Sequence, residues 1–321
     1  MPDHVVTNQD LTRLMDTSDE WIRQRTGIEE RHFITEDTGP ADLALPAAEE
    51  ALRAAGVKAA ELDLILLATL SPDIDFPASA TLLQRRLGVS GMPAMDVRNQ
   101  CSGFLYMLAT ADAFIRTGGA RYVLAVGAEV HSTGIDLSTL GREVAVIFGD
   151  GAGAAVLGPE SDVRRGILST HLHSEGKYAE KLMVEVPNSR SRPRVTADML
   201  SGPGSRLWPR MEGRYVFKHA VTRFPEVIQE ALATNGYTVA DLDLLIPHQA
   251  NLRISQLVAM GLELPEEKVF NNIQRYGNTT AATIPIALDE ARKAGRVKEG
   301  DLVCFVGLGA GFHWGAALMR A

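Results

Sequence analysis

Two kinds of hydrophobic pattern alternate along the chain. Short, nearly continuous apolar runs predict buried β-strands, as in DLILLATL at 63–70, RYVLAVG at 121–127 and LVCFVG at 302–307. Longer stretches with apolar residues three and four positions apart predict amphipathic helices, as in SGFLYMLATADAF at 102–114. Strands that alternate with helices in this way are typical of a layered α/β fold.

Segments of the second half of the chain repeat segments of the first in the same order, the first two pairs at an offset of 180 residues. AELDLILLATL at 60–70 resembles ADLDLLIPHQA at 240–250, and ARYVLAVG at 120–127 resembles GDLVCFVG at 300–307. GAAVLG at 153–158 and GAALMR at 315–320 follow in the same order. The repeat predicts a duplicated fold, with one α/β half at 1–158 and the other at 159–321.

Composition narrows the class of protein. The 321 residues are 45% hydrophobic, which is enough for two joined cores. A net charge of −8 argues against nucleic acid or an anionic membrane as partner. No apolar run approaches the ~20 residues of a spanning helix, and MPDHVVTNQD at the start lacks a signal-peptide pattern. Two cysteines do not make a disulfide framework, so we expect a cytoplasmic protein without a metal site.

One cysteine occupies a chemically suggestive position. Cys101 lies in NQCSGFLYML at 99–108, where the predicted strand PAMDV passes into a predicted helix. It could be a small buried hydrophobe, which is the usual state of a free cysteine. Alternatively it is a nucleophile whose pKa the helix N-terminus lowers below about 8.5. Cys304, inside the apolar run LVCFVG, is expected to be inert core.

Two further polar residues follow predicted strands. Taken singly, His248 in IPHQANLRI is a structural histidine and Asn278 in YGNTTAATIP a turn or helix cap. In a pseudo-symmetric pair of α/β halves, however, strand ends can converge on one cleft. Cys101 then supplies a nucleophile and the other two supply nitrogen donors, which suit an enolate oxygen. The set favours decarboxylation and carbon–carbon bond formation over hydrolysis.

Longer motifs carry a resemblance to a known family. DTSDEWIRQRTGIEERHF, NQCSGF, IFGDGAGAAVLG, IPHQANLRI, RYGNTTAATIP and GAGFHWGAALMR resemble β-ketoacyl-acyl carrier protein synthase III, from about residue 5 to the C-terminus. The resemblance implies a thiolase-like fold with two halves in α-β-α-β-α layers, and a homodimer. It implies that an acyl-CoA acylates Cys101, and that malonyl-acyl carrier protein loses CO2 and attacks the acyl group. His248 and Asn278 would stabilise the enolate. Both thioesters are substrates, and no cofactor is expected.

The resemblance also implies roles for individual positions. The backbone N–H groups of Cys101 and Ala310 would form an oxyanion hole, although the family commonly has glycine at position 310. Trp21 and Arg142 would hold the CoA adenine. The pantetheine tunnel or its mouth would be lined by Thr17, Arg25, Gly213, Phe217, Asn251 and Arg253. Phe76 and Leu308 would bound the acyl pocket, with Phe76 reaching across the dimer and favouring a short acyl chain.

Two features depart from the family pattern. Family members usually have a strand and a Gly-rich turn before the segment matching MPDHVVTNQD, so we expect the true start upstream or a missing segment. The stretch 186–214 is longer than in short-chain enzymes, and its Pro, Gly and Ser content predicts a loop. Its arginines are either a solvated basic surface or contacts for CoA phosphates or an acidic carrier protein. These arginines are Arg190, Arg192, Arg194, Arg206, Arg210 and Arg214.

Three functions remain open at this point. The first is a condensing enzyme that initiates fatty-acid synthesis. The second is a related enzyme of secondary metabolism that makes quinolones, starts polyketides or joins acyl chains. The third is an acyltransferase or acyl-binding protein that does not condense. The presence of Cys101, His248 and Asn278 together argues against the third.

Overall fold

Strands and helices follow one another as the hydrophobic pattern predicts. The computed structural model describes residues 1–200 and 205–321. The strands are β1 (Val5–Thr7), β2 (Glu30–His32), β3 (Leu64–Ala68), β4 (Ala94–Val97), β5 (Val123–Glu129), β6 (Gly151–Leu157), β7 (Gly166–Ser174), β8 (Leu182–Met183), β9 (Arg210–Met211), β10 (Leu244–Pro247), β11 (Leu302–Gly309) and β12 (His313–Arg320). The helices are α1 (Asn8–Leu11), α2 (Asp19–Thr26), α3 (Pro40–Ala55), α4 (Ser79–Arg86), α5 (Gly103–Arg116), α6 (Arg142–Ala145), α7 (Ala197–Leu200), α8 (Gly213–Thr234), α9 (Leu252–Gly261), α10 (Ile273–Tyr276) and α11 (Thr283–Lys293).

Two four-stranded sheets repeat one topology. The first has the order β4-β3-β5-β6 and the second has the order β10-β11-β12-β7. In each half a parallel pair, β3 with β5 or β10 with β11, is followed by an antiparallel partner, β6 or β12. β12 pairs with β7 on its other edge, whereas no described strand pairs with the outer edge of β6. The strands of each sheet come from one side of the boundary at 158/159.

Alternating side chains on the strands divide the core into layers. On β3, Ile65 and Leu67 pack with α3 and α4, while Leu64 and Leu66 point to the opposite face. That opposite face packs against α5 and α11, which lie between the two sheets. Helices α8 and α9 cover the outer face of the second sheet. The layers are therefore helix, sheet, helix, sheet, helix, as the thiolase-like prediction requires. Among the described residues, no helix is both long and apolar enough to cross a bilayer.

The central helices begin with matching 3₁₀ turns. Gln100–Ser102 precedes α5, and Thr280–Ala282 precedes α11. The first residue of each turn has a left-handed backbone, with φ of 45° at Gln100 and 52° at Thr280. Both are uncommon conformations for residues other than glycine. The repeat therefore places Ala281 in the position that corresponds to Cys101.

A glycine on each neighbouring strand makes room for these turns. A Cβ built on Gly127 of β5 would lie 2.3 Å from the carbonyl oxygen of Ala281. On Gly307 of β11, the corresponding Cβ would lie 3.4 Å from the carbonyl oxygen of Cys101. The strand backbones thus approach the turns directly, which holds both turns in fixed positions at the sheet ends.

Replacing Gly127 by alanine is expected to lower the free energy of unfolding by about 3 kcal/mol, because the clash is with the backbone of a buried turn. Gly176→Ala is the matched control, since no atom lies within 4 Å of its Cβ position. The control should change stability by less than about 0.5 kcal/mol. Denaturant unfolding of both variants measures the difference, and equal stabilities would contradict the close approach of β5.

Candidate active site

The turn that carries Cys101 is fixed by its own sequence. The backbone N–H and the hydroxyl of Ser102 both donate to the carbonyl of Asn99, at 3.2 and 2.9 Å. Gly103 lets α5 start against β3, because a Cβ there would lie 2.9 Å from the Cβ of Ala68. Cys101 therefore lies in the 3₁₀ turn two residues before the α-helix, and not at the first helical position that the sequence predicts.

The electrostatic surroundings of Cys101 differ from the prediction. The residue is 7% exposed, and burial raises the pKa of its thiol to about 12. The negative charge of Glu129 acts in the same direction, whereas its own backbone N–H and the Thr280 side chain favour the thiolate. The predicted lowering of the pKa by the helix N-terminus is thus wrong for the free protein, because loss of solvent outweighs the donors. In this state Cys101 is a thiol.

His248 follows β10 and has one ring nitrogen without a partner. The hydroxyl of Thr283 donates to the carbonyl of Thr280 at 2.9 Å and lies 2.7 Å from Nδ1 of His248. Because a hydroxyl has a single proton, Nδ1–H donates to Thr283 when Thr283 donates to Thr280, and Nδ1 accepts when Thr283 turns its hydroxyl toward the ring. Burial lowers the pKa of His248 to about 3, so the ring is neutral and carries a proton on one of its two nitrogens. Nε2 is buried and finds no partner among the described residues.

In the first arrangement, with the proton on Nδ1, His248 is a hydrogen-bond acceptor at Nε2. The sequence prediction treats His248 as a donor to a thioester oxygen, which requires Nε2–H. The donor tautomer forms when Thr283 turns its hydroxyl from the Thr280 carbonyl to Nδ1. An unpaired nitrogen in a buried site is costly unless a ligand pairs with it. His248 is therefore positioned for a ligand rather than for the fold.

Asn278 is held by the backbone on both sides. Its N–H donates to the carbonyl of Ile147 at 2.8 Å, and its carbonyl accepts from Gly149 at 3.1 Å. The side-chain Oδ1 accepts from the N–H of Thr280 at 2.8 Å. Nδ2 has no acceptor within the described part of the chain, so it is the end of the amide that can donate to a ligand.

The turn at 280–282 links the three predicted catalytic residues. The backbone N–H of Thr280 donates to Oδ1 of Asn278, and the side chain of Thr280 interacts with Cys101. The hydroxyl of Thr283 contacts both the carbonyl of Thr280 and Nδ1 of His248. A Cβ on Gly307 would lie 3.5 Å from the Cβ of His248 and 3.4 Å from the Cys101 carbonyl. The structure thus brings Cys101, His248 and Asn278 to one buried site at the strand ends.

β11 forms the wall beside the nucleophile. A Cβ on Gly309 would lie only 2.7 Å from the backbone nitrogen of Cys101. Ala310 follows directly and is not among the residues with positive φ. Alanine in place of the family's usual glycine therefore requires no unusual backbone at this position.

Sequence reasoning did not identify Glu129, a fully buried acid beside Cys101. Its carboxylate accepts from the N–H and hydroxyl groups of the turn that follows β3, and from the N–H of Ala281. Burial raises its pKa to about 7. The repeat aligns Ala281 with Cys101. Glu129 therefore accepts from the Ala281 N–H in one half at the position where the predicted oxyanion hole would bind a substrate oxygen at the Cys101 N–H in the other half. An acid that ends the apolar run VLAVGAE was the available signal.

The residues predicted to hold the CoA adenine form one partly exposed group with Arg25. The guanidinium groups of Arg25 and Arg142 lie 4.3 and 5.3 Å from the ring centre of Trp21. Arg142 also donates to the carbonyl of Asp16. Thr17 has a buried hydroxyl with no partner among the described residues. A planar cationic and aromatic surface of this kind suits a purine ring.

The remaining predicted tunnel residues join α2, α8 and α9. Asn251 caps α9 by accepting from the N–H of Arg253, and it donates to the carbonyl of Arg25. Arg253 lies 5.7 Å from the ring centre of Phe217. Gly213 is the first residue of α8, and its Cβ position meets nothing closer than 3.8 Å. Asn251 thus has a clear structural role, and nothing in the packing requires glycine at 213.

The two residues predicted for the acyl pocket lie in different environments. Leu308 is buried in the core formed by β11, β12 and α8. Phe76 is 81% exposed and is in the same loop as Ile74, which is also exposed. Within one chain, therefore, Phe76 closes no pocket.

The Arg-rich stretch 186–214 is only partly irregular. It contains α7 and β9 and ends in the first turn of α8, and residues 201–204 lie outside the described residues. Arg206 and Arg210 both pair with Glu185, and Arg194 pairs with Asp75 at 2.7 Å. The three arginines without an acidic partner in the described ranges are Arg190, Arg192 and Arg214. Of the six arginines predicted to contact CoA phosphates or a carrier protein, three are thus already paired with carboxylates of the same chain.

Comparison with known proteins places this site in a family. The family model "3-Oxoacyl-[acyl-carrier-protein (ACP)] synthase III" matches residues 95–176, and its C-terminal counterpart matches residues 232–321. A β-ketoacyl-[acyl-carrier-protein] synthase III of Xanthomonas euvesicatoria is 48% identical over 100% of this chain and 95% of its own length.

Solved structures agree with the sequence relatives. The crystal structure of 3-oxoacyl-[acyl-carrier-protein] synthase III from Aquifex aeolicus has a TM-score of 0.91 and 45% identity, covering 100% of this chain and 97% of that one. The priming β-ketosynthase from the R1128 polyketide pathway is less similar, with 31% identity, a TM-score of 0.89 and coverage of 99% and 92%. The chain therefore belongs to the 3-oxoacyl-[acyl-carrier-protein] synthase III family.

Proposed function

We propose that this enzyme condenses an acyl-CoA with malonyl-acyl carrier protein and so initiates fatty-acid synthesis. The observation that carries the proposal is the buried Cys101 thiol in one site with the unpaired Nε2 of His248 and the free amide end of Asn278. The identity of 45–48% to proteins named 3-oxoacyl- or β-ketoacyl-[acyl-carrier-protein] synthase III, against 31% to a polyketide priming β-ketosynthase, disfavours the secondary-metabolism alternative.

In the first step the sulfur of Cys101 attacks the thioester carbonyl of the acyl-CoA. The bond between the acyl carbon and the CoA sulfur breaks, and the thiol proton leaves with CoA. Backbone N–H groups of Cys101 and Ala310 would stabilise the tetrahedral oxyanion. Because free Cys101 is a thiol, its proton must leave the sulfur as the new sulfur–carbon bond forms, and it passes to the departing CoA sulfur.

In the second step malonyl-carrier protein replaces CoA. The carboxylate of the malonyl group leaves as CO2, and the electron pair becomes the enolate of the remaining thioester. Nε2–H of His248, in its donor tautomer, and Nδ2 of Asn278 would bind that enolate oxygen. The enolate carbon attacks the acyl carbonyl on Cys101, and the Cys101 thiolate leaves and is protonated. Every carbon and sulfur bond change involves only the substrates and Cys101, and the one proton consumed, which restores the Cys101 thiol, comes from solvent, so the reaction as proposed needs no cofactor.

Substrate recognition follows from the surface around Trp21. Its stacked arginines would hold the CoA adenine, and the group formed by Phe217, Asn251 and Arg253 would border the pantetheine arm. An aromatic ring as exposed as Phe76 suits burial against a second copy of the chain. We propose that a homodimer places Phe76 in the partner's acyl pocket, where its bulk favours short acyl chains.

A product assay tests the reaction. Malonyl-carrier protein labelled in its free carboxyl group is incubated with enzyme, with and without acetyl-CoA. The proposal expects CO2 release to depend on acetyl-CoA and to match the β-ketoacyl-carrier protein formed, mole for mole. Acyl transfer without CO2 release would instead identify a non-condensing acyltransferase.

Charge reversal tests the carrier-protein contact. Converting Arg190, Arg192 and Arg214 to glutamate is expected to raise the apparent KM for malonyl-carrier protein about tenfold and to leave the KM for acyl-CoA unchanged. The effect should shrink with added salt. Arg53→Glu on α3 is the control for a changed surface charge. An unchanged KM would dismiss this surface as the docking site.

A further inference from the structure

A second buried histidine lies close to the nucleophile and takes no part in the proposed chemistry. His131 follows β5 and is 6% exposed. Its backbone N–H donates to Oδ1 of Asp150 at 2.6 Å, and its ring packs against that of Phe148 with centroids 4.6 Å apart. These contacts fix both the backbone and the ring plane. The fold therefore holds the His131 ring in a fixed position and orientation, which also fixes the direction in which Nε2 points.

Its Nε2 meets the hydroxyl of Thr280 at 2.6 Å. Thr280 is fully buried, and its side chain also interacts with the sulfur of Cys101. The left-handed backbone at Thr280, with φ of 52°, is a strained conformation for a β-branched residue. Such strain persists only where the surrounding structure imposes it. One hydroxyl group thus lies between a histidine and the nucleophile.

The single proton of that hydroxyl decides what the contact does. Burial lowers the pKa of His131 to about 3, so the ring is neutral and carries one N–H. If Nε2 is bare, Thr280 donates to it and offers the sulfur only lone pairs. If Nε2 carries the proton, it donates to Thr280 Oγ1, and the hydroxyl proton is free to point at the sulfur. Only the second arrangement stabilises a thiolate.

We propose that His131 is a positioning residue that sets a hydrogen-bond chain from its Nε2–H, through the Thr280 hydroxyl, to the sulfur of Cys101. This hydrogen-bond chain stabilises the thiolate of Cys101, which its burial and the negative charge of Glu129 both disfavour. No proton is transferred along it, because a charged imidazolium is disfavoured at this buried position. The inference rests on the proposed role of Cys101 as the acylated nucleophile.

Alkylation of Cys101 by iodoacetamide measures this effect without any substrate. The rate at a fixed pH near 7.5 follows the thiolate fraction, and intact-mass measurement counts the added groups. Cys304 is fully buried, and peptide mapping separates any reaction there. Because no acyl-CoA is used, the alkylation rate tests the hydrogen-bond chain alone, and a failure of the proposed condensation would leave that rate unchanged.

The variants form a double-mutant cycle. Thr280→Ala removes the hydroxyl and should slow alkylation about tenfold, whereas Thr280→Ser should stay within about twofold of the native rate. His131→Leu removes the N–H and should slow alkylation about fivefold. In the Thr280→Ala background, His131→Leu should have no further effect, because the hydroxyl through which it acts is gone.

A conservative variant separates positioning from folding. His131→Gln places an amide N–H near the position of Nε2 and should restore most of the native rate. If His131→Leu does not fold, the alkylation rates of His131→Gln, Thr280→Ala and Thr280→Ser still show whether the hydrogen-bond chain affects Cys101. Equal slowing by His131→Leu with and without the Thr280 hydroxyl would overturn the proposal, as would native alkylation rates in Thr280→Ala.

Discussion

Replacing Cys101 by alanine is expected to abolish acylation by acyl-CoA and to reduce condensation by roughly 10⁴-fold or more. The reason is that the other cysteine, Cys304, is buried in β11, so Cys101 is the thiol at the site formed by His248 and Asn278. The small volume change in a turn held by backbone contacts should leave the fold intact. Steady-state condensation and single-turnover acylation, measured on the same preparation, test both parts.

Cys304→Ala provides the matched control. Cys304 is the other cysteine, buried in β11 away from the turn, and burial raises the pKa of its thiol to about 12 as well. This variant should keep acylation within about twofold of the native rate, at some cost in stability. Loss of acylation in Cys304→Ala with retention in Cys101→Ala would reverse the assignment.

His248→Ala and Asn278→Ala are expected to separate the two steps of the reaction. Each variant removes one donor from the predicted enolate site, which should lower decarboxylation by about 10²–10³-fold. Acylation of Cys101 should persist within about tenfold, since the oxyanion hole for that step is backbone. His171→Ala on β7, where the ring pairs with Glu230, is the control for loss of a histidine.

Because His248 has one tautomer that accepts at Nε2 and one that donates there, a loss of acylation in His248→Ala would also be informative. If His248→Ala prevents all labelling of Cys101, Nε2 acts mainly as acceptor for the thiol proton, and its assignment as an enolate donor is wrong. Asn278→Ala should still separate the steps in that case, because the amide has no proton-accepting role. Rapid-quench measurement of acyl-enzyme and of CO2 distinguishes these results.

The hydrophobic pattern and the repeat predicted a layered, duplicated α/β fold, whereas the order of the layers was implied by the family resemblance. Alternation on β3 sends Ile65 and Leu67 to one helix layer and Leu64 and Leu66 to the other, and the same runs recur 180 residues later. Local pattern could not place the exact correspondence within the turns. The structure aligns Cys101 with Ala281, since a left-handed residue starts each turn, and backbone dihedrals are not readable from residue type at Gln100 and Thr280.

The catalytic types were predictable, but their electrostatics were not. A helix start suggested a lowered pKa for Cys101, and this was wrong because burial depends on the packing of both halves around the turn. The contact between His131 and Thr280 joins residues 149 positions apart, and neither has a sequence signal of its own. Glu129 likewise became significant only when the fold placed it beside Ala281.

Intact-protein mass measurement with a panel of acyl-CoAs, from acetyl to long-chain, tests the central claim most directly. The account predicts a mass gain of one acyl group, mapped to Cys101, with acetyl or other short chains and none in Cys101→Ala. Labelling only by medium, long or aromatic acyl groups would contradict initiation with a short chain and the proposed role of Phe76. An unchanged mass with every donor would contradict Cys101 as the acylated nucleophile.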